Sequence, residues 1–173
     1  MTVSVQWDAD SAVEQLYAAH YRQLVRLSVL LVRDQETAEE VVQDAFVAMH
    51  GHWRGLREPD KALAYLRQAV VNRSRSVLRH RGVQERYAAT QGRAGVPDLH
   101  GADEDALASE RRAQVLDAMR ALPQRQREVL ALRYYLDLPE SDIAQTLGIS
   151  RGAVKSHASR GAAALRTLLK DAS

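Results

Sequence analysis

The stretch LPESDIAQTLGISRGAVKSHASRGAAALRTLL, residues 138–169, decides the fold class. It predicts two helices joined by a tight turn. Pro139 or Glu140 opens the first helix, and Ile143, Ala144 and Leu147 make its inward face. Gly148 stands where that helix stops and the chain turns through a left-handed residue, which glycine adopts without a Cβ clash. Ser150 has the chemistry of an N-cap for the second helix. Ile149 and Val154 flank it at the spacing of a hydrophobic staple. Val154, Ala158, Gly161, Leu165 and Leu168 then recur at helical spacing as a buried stripe. Ala144, Gly148 and Val154 together have the spacing of a helix-turn-helix: a small residue where the helices cross, glycine in the turn, an apolar residue holding the second helix down.

The outward side of the second helix bears Arg151, Lys155 and Ser159 one turn apart, with Ser156 and Arg160 beside them. No Asp or Glu occurs from Ile143 to Lys170. A helix entering a phosphate-lined major groove needs this combination, cations for the backbone and short donors for base edges. A basic face alone would suit any solvated helix. Combined with the turn, the staple and the small crossing residue in one register, it favours DNA.

Working outward, the 173 residues permit one medium domain or two small ones. Aromatic residues are only 5% and the apolar residues are mainly Ala, Leu and Val, which favours helices over sheets. The net charge of +2 says little, so the distribution of charge matters more. The absence of cysteine excludes disulfides and thiolate metal sites and suits a reducing cytosol, so a cytoplasmic location is expected. The N-terminal MTVSVQWDAD is polar and acidic, unlike a signal peptide, and no apolar run approaches a membrane span.

In chain order, Ser11 and Glu14 have capping-box spacing, followed by a stripe of Val13, Leu16, Tyr17, Leu24, Leu27 and Leu31 that predicts a helix to about Val32. Thr37 and Glu40 form a second such pair, opening a helix to about His50. That helix is acidic: Asp34, Glu36, Glu39, Glu40 and Asp44 fall before any Lys or Arg. Acids in a first turn suit the helix dipole, but Gln43, Asp44 and Phe46 lie further in. An acidic helix in a DNA-binding chain is expected to face a basic protein surface. Residues 51–61 read as a loop, and a third helix follows from Pro59 or Asp60 to about His80. Its polar side holds Arg67, Arg73, Arg75, Arg79 and Arg81 with Asn72 among them and no acid from Ala62 to Gln84, a second nucleic-acid surface. Residues 82–109 read as a flexible, partly acidic linker, with a short helix around Gln84 to Ala89. Val115, Leu116, Met119 and Leu122 predict a helix stopped at Pro123, and residues 124–135 another, in which Tyr134 and Tyr135 are expected at the core or domain edge.

An acidic helix, a basic helix with an asparagine, a linker and a helix-turn-helix stand in a telling order. The chain resembles a sigma factor of the extracytoplasmic-function (ECF) type, the minimal group of the sigma-70 family, most closely its actinobacterial branch. Thr37-Ala-Glu-Glu-Val-Val-Gln-Asp-Ala-Phe46 is similar to the family's core-polymerase-binding signature, and Gly148 to His157 is similar to its recognition helix. The resemblance implies an all-α protein of two small helical domains joined by a flexible linker: region 2 over 1–81, the linker over 82–109, and region 4 with its helix-turn-helix over 110–173. It implies as partners core RNA polymerase, through its beta-prime and beta subunits, and promoter DNA, with an anti-sigma factor as a further candidate and no membrane.

It also implies roles. Asp34, Glu40, Gln43, Asp44 and an exposed Phe46 would dock on the coiled coil of the polymerase's largest subunit. Tyr65, standing where many members have Trp, would support strand opening in the minus-10 element, Asn72 would face an unpaired base, and Arg73, Arg75 and Arg79 would hold single-strand phosphates. The loop from Arg54 to Lys61 would help form the pocket of the flipped base. Arg151, Lys155, Ser156, Ser159 and Arg160 would meet the minus-35 element. Family members commonly have Pro, Thr and Arg where this chain has Ser150, Ala153 and His157, so base preference does not carry over. The linker would thread toward the polymerase channels.

The alternative is a helix-turn-helix regulator that occupies DNA without joining the polymerase as a sigma subunit. It needs no acidic helix. An enzyme is not expected: the histidines form no metal-ligand pattern, and there is no phosphate-cradling loop or nucleophile elbow. No cofactor is expected. Trp53 reads as a packing anchor.

Overall fold

The computed structural model describes residues 8–56, 58–89 and 106–173, and every element among them is helical. Residues 90–105, the heart of the expected linker, lie outside the described residues, as do 1–7 and 57. Four helices form the N-terminal group: α1 (Ala9–Val32), α2 (Gln35–Gly51), a single turn α3 (Trp53–Leu56) inside the expected loop, and α4 (Pro59–Ala89). The C-terminal group holds α5 (Ala106–Ala121), α6 (Gln124–Leu130) with a π-helical turn (Ala131–Tyr135), α7 (Glu140–Leu147) and α8 (Arg151–Asp171).

The first two caps differ from expectation. The Asp8 carboxylate accepts the Ser11 N–H at 2.7 Å, and Asp34 accepts both the N–H and the hydroxyl of Thr37. Each helix therefore starts before the expected Ser or Thr, because aspartate is an equally good cap and sits three residues upstream. Helix α4 runs unbroken through Gly82, so no separate helix forms at Gln84. The cost of one helical glycine, about 1 kcal/mol, does not end it.

Helices α1, α2 and α4 enclose the first core, with Leu24, Leu27, Val42, Met49, Leu66, Val70 and Val71 fully buried. Ser28 of α1 and Ser74 of α4 satisfy each other inside it at 3.0 Å. Trp53 is buried beside it.

In the C-terminal group Leu132, Ile143, Val129 and Val154 are fully buried. Arg127 is only 6% exposed and donates to the carbonyls of Met119, Arg120 and Leu122 at 2.8–3.0 Å. It thus closes the end of α5, where carbonyls lack helical partners. Gly161 lets α8 approach α6: a Cβ there would come within 3.2 Å of Gln126 and Leu130. After Leu130 the helix widens, and the Leu136 N–H reaches back five residues to the Ala131 carbonyl at 3.3 Å. Tyr134 consequently turns outward, 66% exposed, with the Arg133 guanidinium 5.8 Å from its ring, while Tyr135 stays half-buried. The expectation for Tyr134 is corrected to a surface ring.

The two groups touch. Arg75 of α4 grips Glu128 of α6, Arg33 meets Asp117, and one apolar cluster runs through both groups.

Candidate functional site

The helix-turn-helix takes the geometry its residues predict. Gly148 ends α7 at φ 66° and ψ 36°, with its N–H on the Ala144 carbonyl. Ser150 caps α8, its hydroxyl accepting the Ala153 N–H at 3.1 Å. Val154 and Ala158 face inward, and Arg151, Lys155, Ser159 and Arg160 stand exposed, with Ser156 half-buried. Arg160 donates to the Ser156 hydroxyl at 2.5 Å, so those two side chains are presented as a unit. Glu140, at the start of α7, lies 3.6 Å from Arg133 and 3.8 Å from Lys155. Both separations are long and the groups are well solvated, so Lys155 is held only loosely.

Helix α4 divides the expected minus-10 set. Tyr65, Asn72 and Arg73 line one shallow pocket with Gln68, Ala69 and Ser76. Tyr65 and Asn72 are two helical turns apart, so they share a face. The His52 ring tilts against Tyr65 at 5.6 Å. Arg75 and Arg79 are not in that pocket. Arg79 lines a second cleft with Arg81, Arg120, Gln124 and Arg127, and Arg75 reaches across to Glu128. Arg75 also lies 3.5 Å from the Asn72 side-chain oxygen, which links the two sets.

On α2, Glu40, Gln43 and Asp44 are exposed. Phe46 is not: at 3% exposure it belongs to the buried stripe Ala38, Val41, Val42, Ala45, Met49. The expectation of an exposed phenyl is corrected, and helical spacing is the reason. Asp34 is likewise engaged, capping α2 and pairing with Arg81 at 2.9 Å. Burial pushes its carboxyl up, but the hydrogen bonds from Thr37 and Arg81 outweigh it and hold the group below its ordinary 3.8.

Apolar area on this surface comes from residues that sequence reasoning missed. Val47 is 73% exposed and Tyr17 41%. With Val13, Gln43, His50 and the edge of Phe46 they line a mostly apolar groove beside the exposed acids. Tyr17 stacks on Tyr21 at 4.3 Å, which props its ring upright, and His50 pairs with Asp10 at 2.8 Å at the groove's rim. The available signal was Val47, a valine one step off the buried stripe among acids. Among the described residues no cluster of His, Asp or Glu has the makings of a metal site, and no helix is long and apolar enough to cross a membrane.

Residues 16–83 match the model of sigma-70 region 2, and residues 112–165 match that of sigma-70 region 4. An RNA polymerase sigma-E factor of Streptomyces antibioticus is 31% identical over 157 residues, covering 91% of this chain and 84% of the relative. The ECF RNA polymerase sigma factor SigM of Mycobacterium tuberculosis is 30% identical over 158 residues, with 91% and 77% covered. The fold is similar to that of RpoE, solved with the anti-sigma factor NepR from Bartonella quintana: TM-score 0.74, 24% identity, 91% of this chain and 96% of that one. It is also similar to CnrH, solved with the cytosolic domain of CnrY, at TM-score 0.70. An acidic helix, a basic helix and a helix-turn-helix in this order, with matches to regions 2 and 4 and relatives 30–31% identical over 91% of this chain, make the chain a member of the ECF group of the sigma-70 family, the RNA polymerase sigma factors.

Proposed function

We propose that the exposed face of α2 docks on the basic coiled coil of core polymerase's largest subunit, while α4 and α8 engage the minus-10 and minus-35 elements. The observation that carries this is the segregation of charge and apolar area. Gln43 lines the Val47–Tyr17 groove on the helix that exposes Glu40 and Asp44, whereas Asn72 and Arg73 line a separate pocket and the α8 cations stand exposed on another helix. An apolar centre with a charged rim is the usual build of a protein interface. Cations with short polar side chains suit nucleic acid.

In the minus-10 pocket, Tyr65 offers a ring for stacking and Asn72 an amide for the edge of an unpaired base, with Arg73 on the adjoining phosphate. Arg75 and Arg79 join that strand only once they leave the C-terminal helices. On α8, Arg151 and Lys155 serve phosphates or guanine edges, and Ser156, Ser159 and Arg160 base edges. Asp34 acts by fixing the start of α2 rather than by touching the polymerase. The chain works in the cytoplasm as a binding and positioning protein, with no chemistry of its own. The complex of RpoE with the anti-sigma factor NepR supports an anti-sigma partner as well.

The test is run-off transcription on fragmented genomic DNA with purified core polymerase. Discrete transcripts that require this protein are expected. Activity only when a complete holoenzyme is supplied would instead indicate a regulator.

A further inference from the structure

A three-bond contact between the two helical groups is made by Arg75, a residue proposed above to hold the minus-10 strand. Arg75 donates Nε to one Glu128 oxygen at 3.1 Å, and Nη2 to both oxygens at 3.0 and 2.7 Å. The Glu128 side chain is 3% exposed and that of Arg75 19%. Arg125 approaches the same carboxylate at 3.2 Å. A planar guanidinium forked on an oxyanion is also how arginine holds a phosphate. Glu128 therefore occupies the guanidinium where the minus-10 strand would.

A second contact lies along the same seam. Arg33 places its guanidinium 2.5 Å from Asp117 while its own backbone sits at φ 71°, a conformation that side-chain-bearing residues avoid. Asp142, Gln145 and Thr146 of α7 face Lys61, Ala64 and Arg67 of α4 across a narrow cleft.

We infer that the free chain is latched shut by the Arg75–Glu128 pair, with Glu128 acting as an internal phosphate surrogate that polymerase and promoter must displace. This rests on the sigma function proposed above. Geometry requires the opening. Elements centred near positions −35 and −10 are about 25 base steps apart, roughly 85 Å at ~3.4 Å per step. A closed chain of this length has a diameter of about 40 Å. With its cations occupied in this way, the free protein is expected to bind promoter DNA poorly.

The chain has no cysteine, so thiols introduced by Ala19→Cys on α1 and Ala163→Cys on α8, both exposed, allow spin-label distances to be measured in the full-length protein. A short, narrow distribution is expected for the wild type. Arg75→Gln and Glu128→Gln are each expected to lengthen and broaden it, and the exchange Arg75→Glu with Glu128→Arg to restore it. Having one single variant in each helical group, with circular dichroism alongside, separates opening from local unfolding. Glu128→Gln should also raise the affinity of the free protein for a mixed-sequence single-stranded 12-mer by about tenfold, as expected when the competent fraction rises from a tenth to most molecules. It should keep run-off activity with core polymerase. Unchanged distances in both single variants, or unchanged oligonucleotide affinity in Glu128→Gln, would overturn the latch. Failure of the wild type to direct transcription would overturn the sigma function and leave the distance result standing.

Discussion

Arg127 is a cation with almost no view of solvent. Burial, and the charge of Arg120, pull its guanidinium below the ordinary arginine range, and Glu128 works in the opposite direction. Its place is justified by three carbonyls at the end of α5 that would otherwise face the core unpaired. A lysine is a point charge and cannot reach all three. Arg127→Lys is therefore expected to lower stability by about 2–3 kcal/mol, read from urea unfolding of the full chain. Gly148 poses a cleaner problem. Nothing lies within 4 Å of a Cβ added there, so only its φ of 66° opposes a side chain. Gly148→Ala should cost about 1 kcal/mol and Gly148→Asn less; equal losses in thermal melts would contradict a purely backbone cause. The glycine was legible because a turn between two periodic stretches demands it. Arg127 was not, because nothing in its own neighbourhood announces carbonyls five to eight residues back.

At the scale of the element, each helix declares a periodicity and the neighbouring helices decide what covers it. Phe46 and Val47 illustrate the point. They are adjacent, both apolar and both among acids, yet one is 3% and the other 73% exposed. The acidic setting suggested an exposed ring, whereas the stripe through Val42 and Met49 places it inside. Val47→Asp should therefore weaken binding to core polymerase at least tenfold while leaving the melting temperature within a degree or two, since an exposed side chain contributes little to folding. Phe46→Ala should instead unfold the N-terminal group, at a cost of about 3–5 kcal/mol. On α8, Lys155→Ala and Arg160→Ala should each cost about 1–3 kcal/mol in minus-35 recognition if they contact bases. Promoter selectivity that does not change in a fragment-binding assay would count against that role.

Over the whole molecule, titration reports how the helices are assembled. Burial, together with the charge of Arg67, holds His20 below its ordinary 6.5. The unfolded chain then takes up that proton first, so His20's contribution to stability is complete above pH 6.5 and is lost as pH falls through the lower folded value. Asp34, also depressed, contributes above pH 3.8 and loses its share only in stronger acid. Two separate declines are expected in a melting series run downward from pH 7.5, and His20→Gln should remove the upper one.

Features built from neighbours a few residues apart were determined by the sequence alone. These are the helical class, the glycine stop and serine cap of the helix-turn-helix, the cations of α8, and the acids of α2. Such features follow from backbone sterics and local hydrogen bonding, which operate in any context. Tertiary structure decided the matters that depend on distant partners: that Asp34 answers to Arg81 across 47 residues and Arg75 to Glu128 across 53, that Val47 remains uncovered, and that the two helical groups close on each other. A periodic stripe shows which side of a helix seeks cover, but only packing settles which neighbour supplies it and which charges end up facing one another.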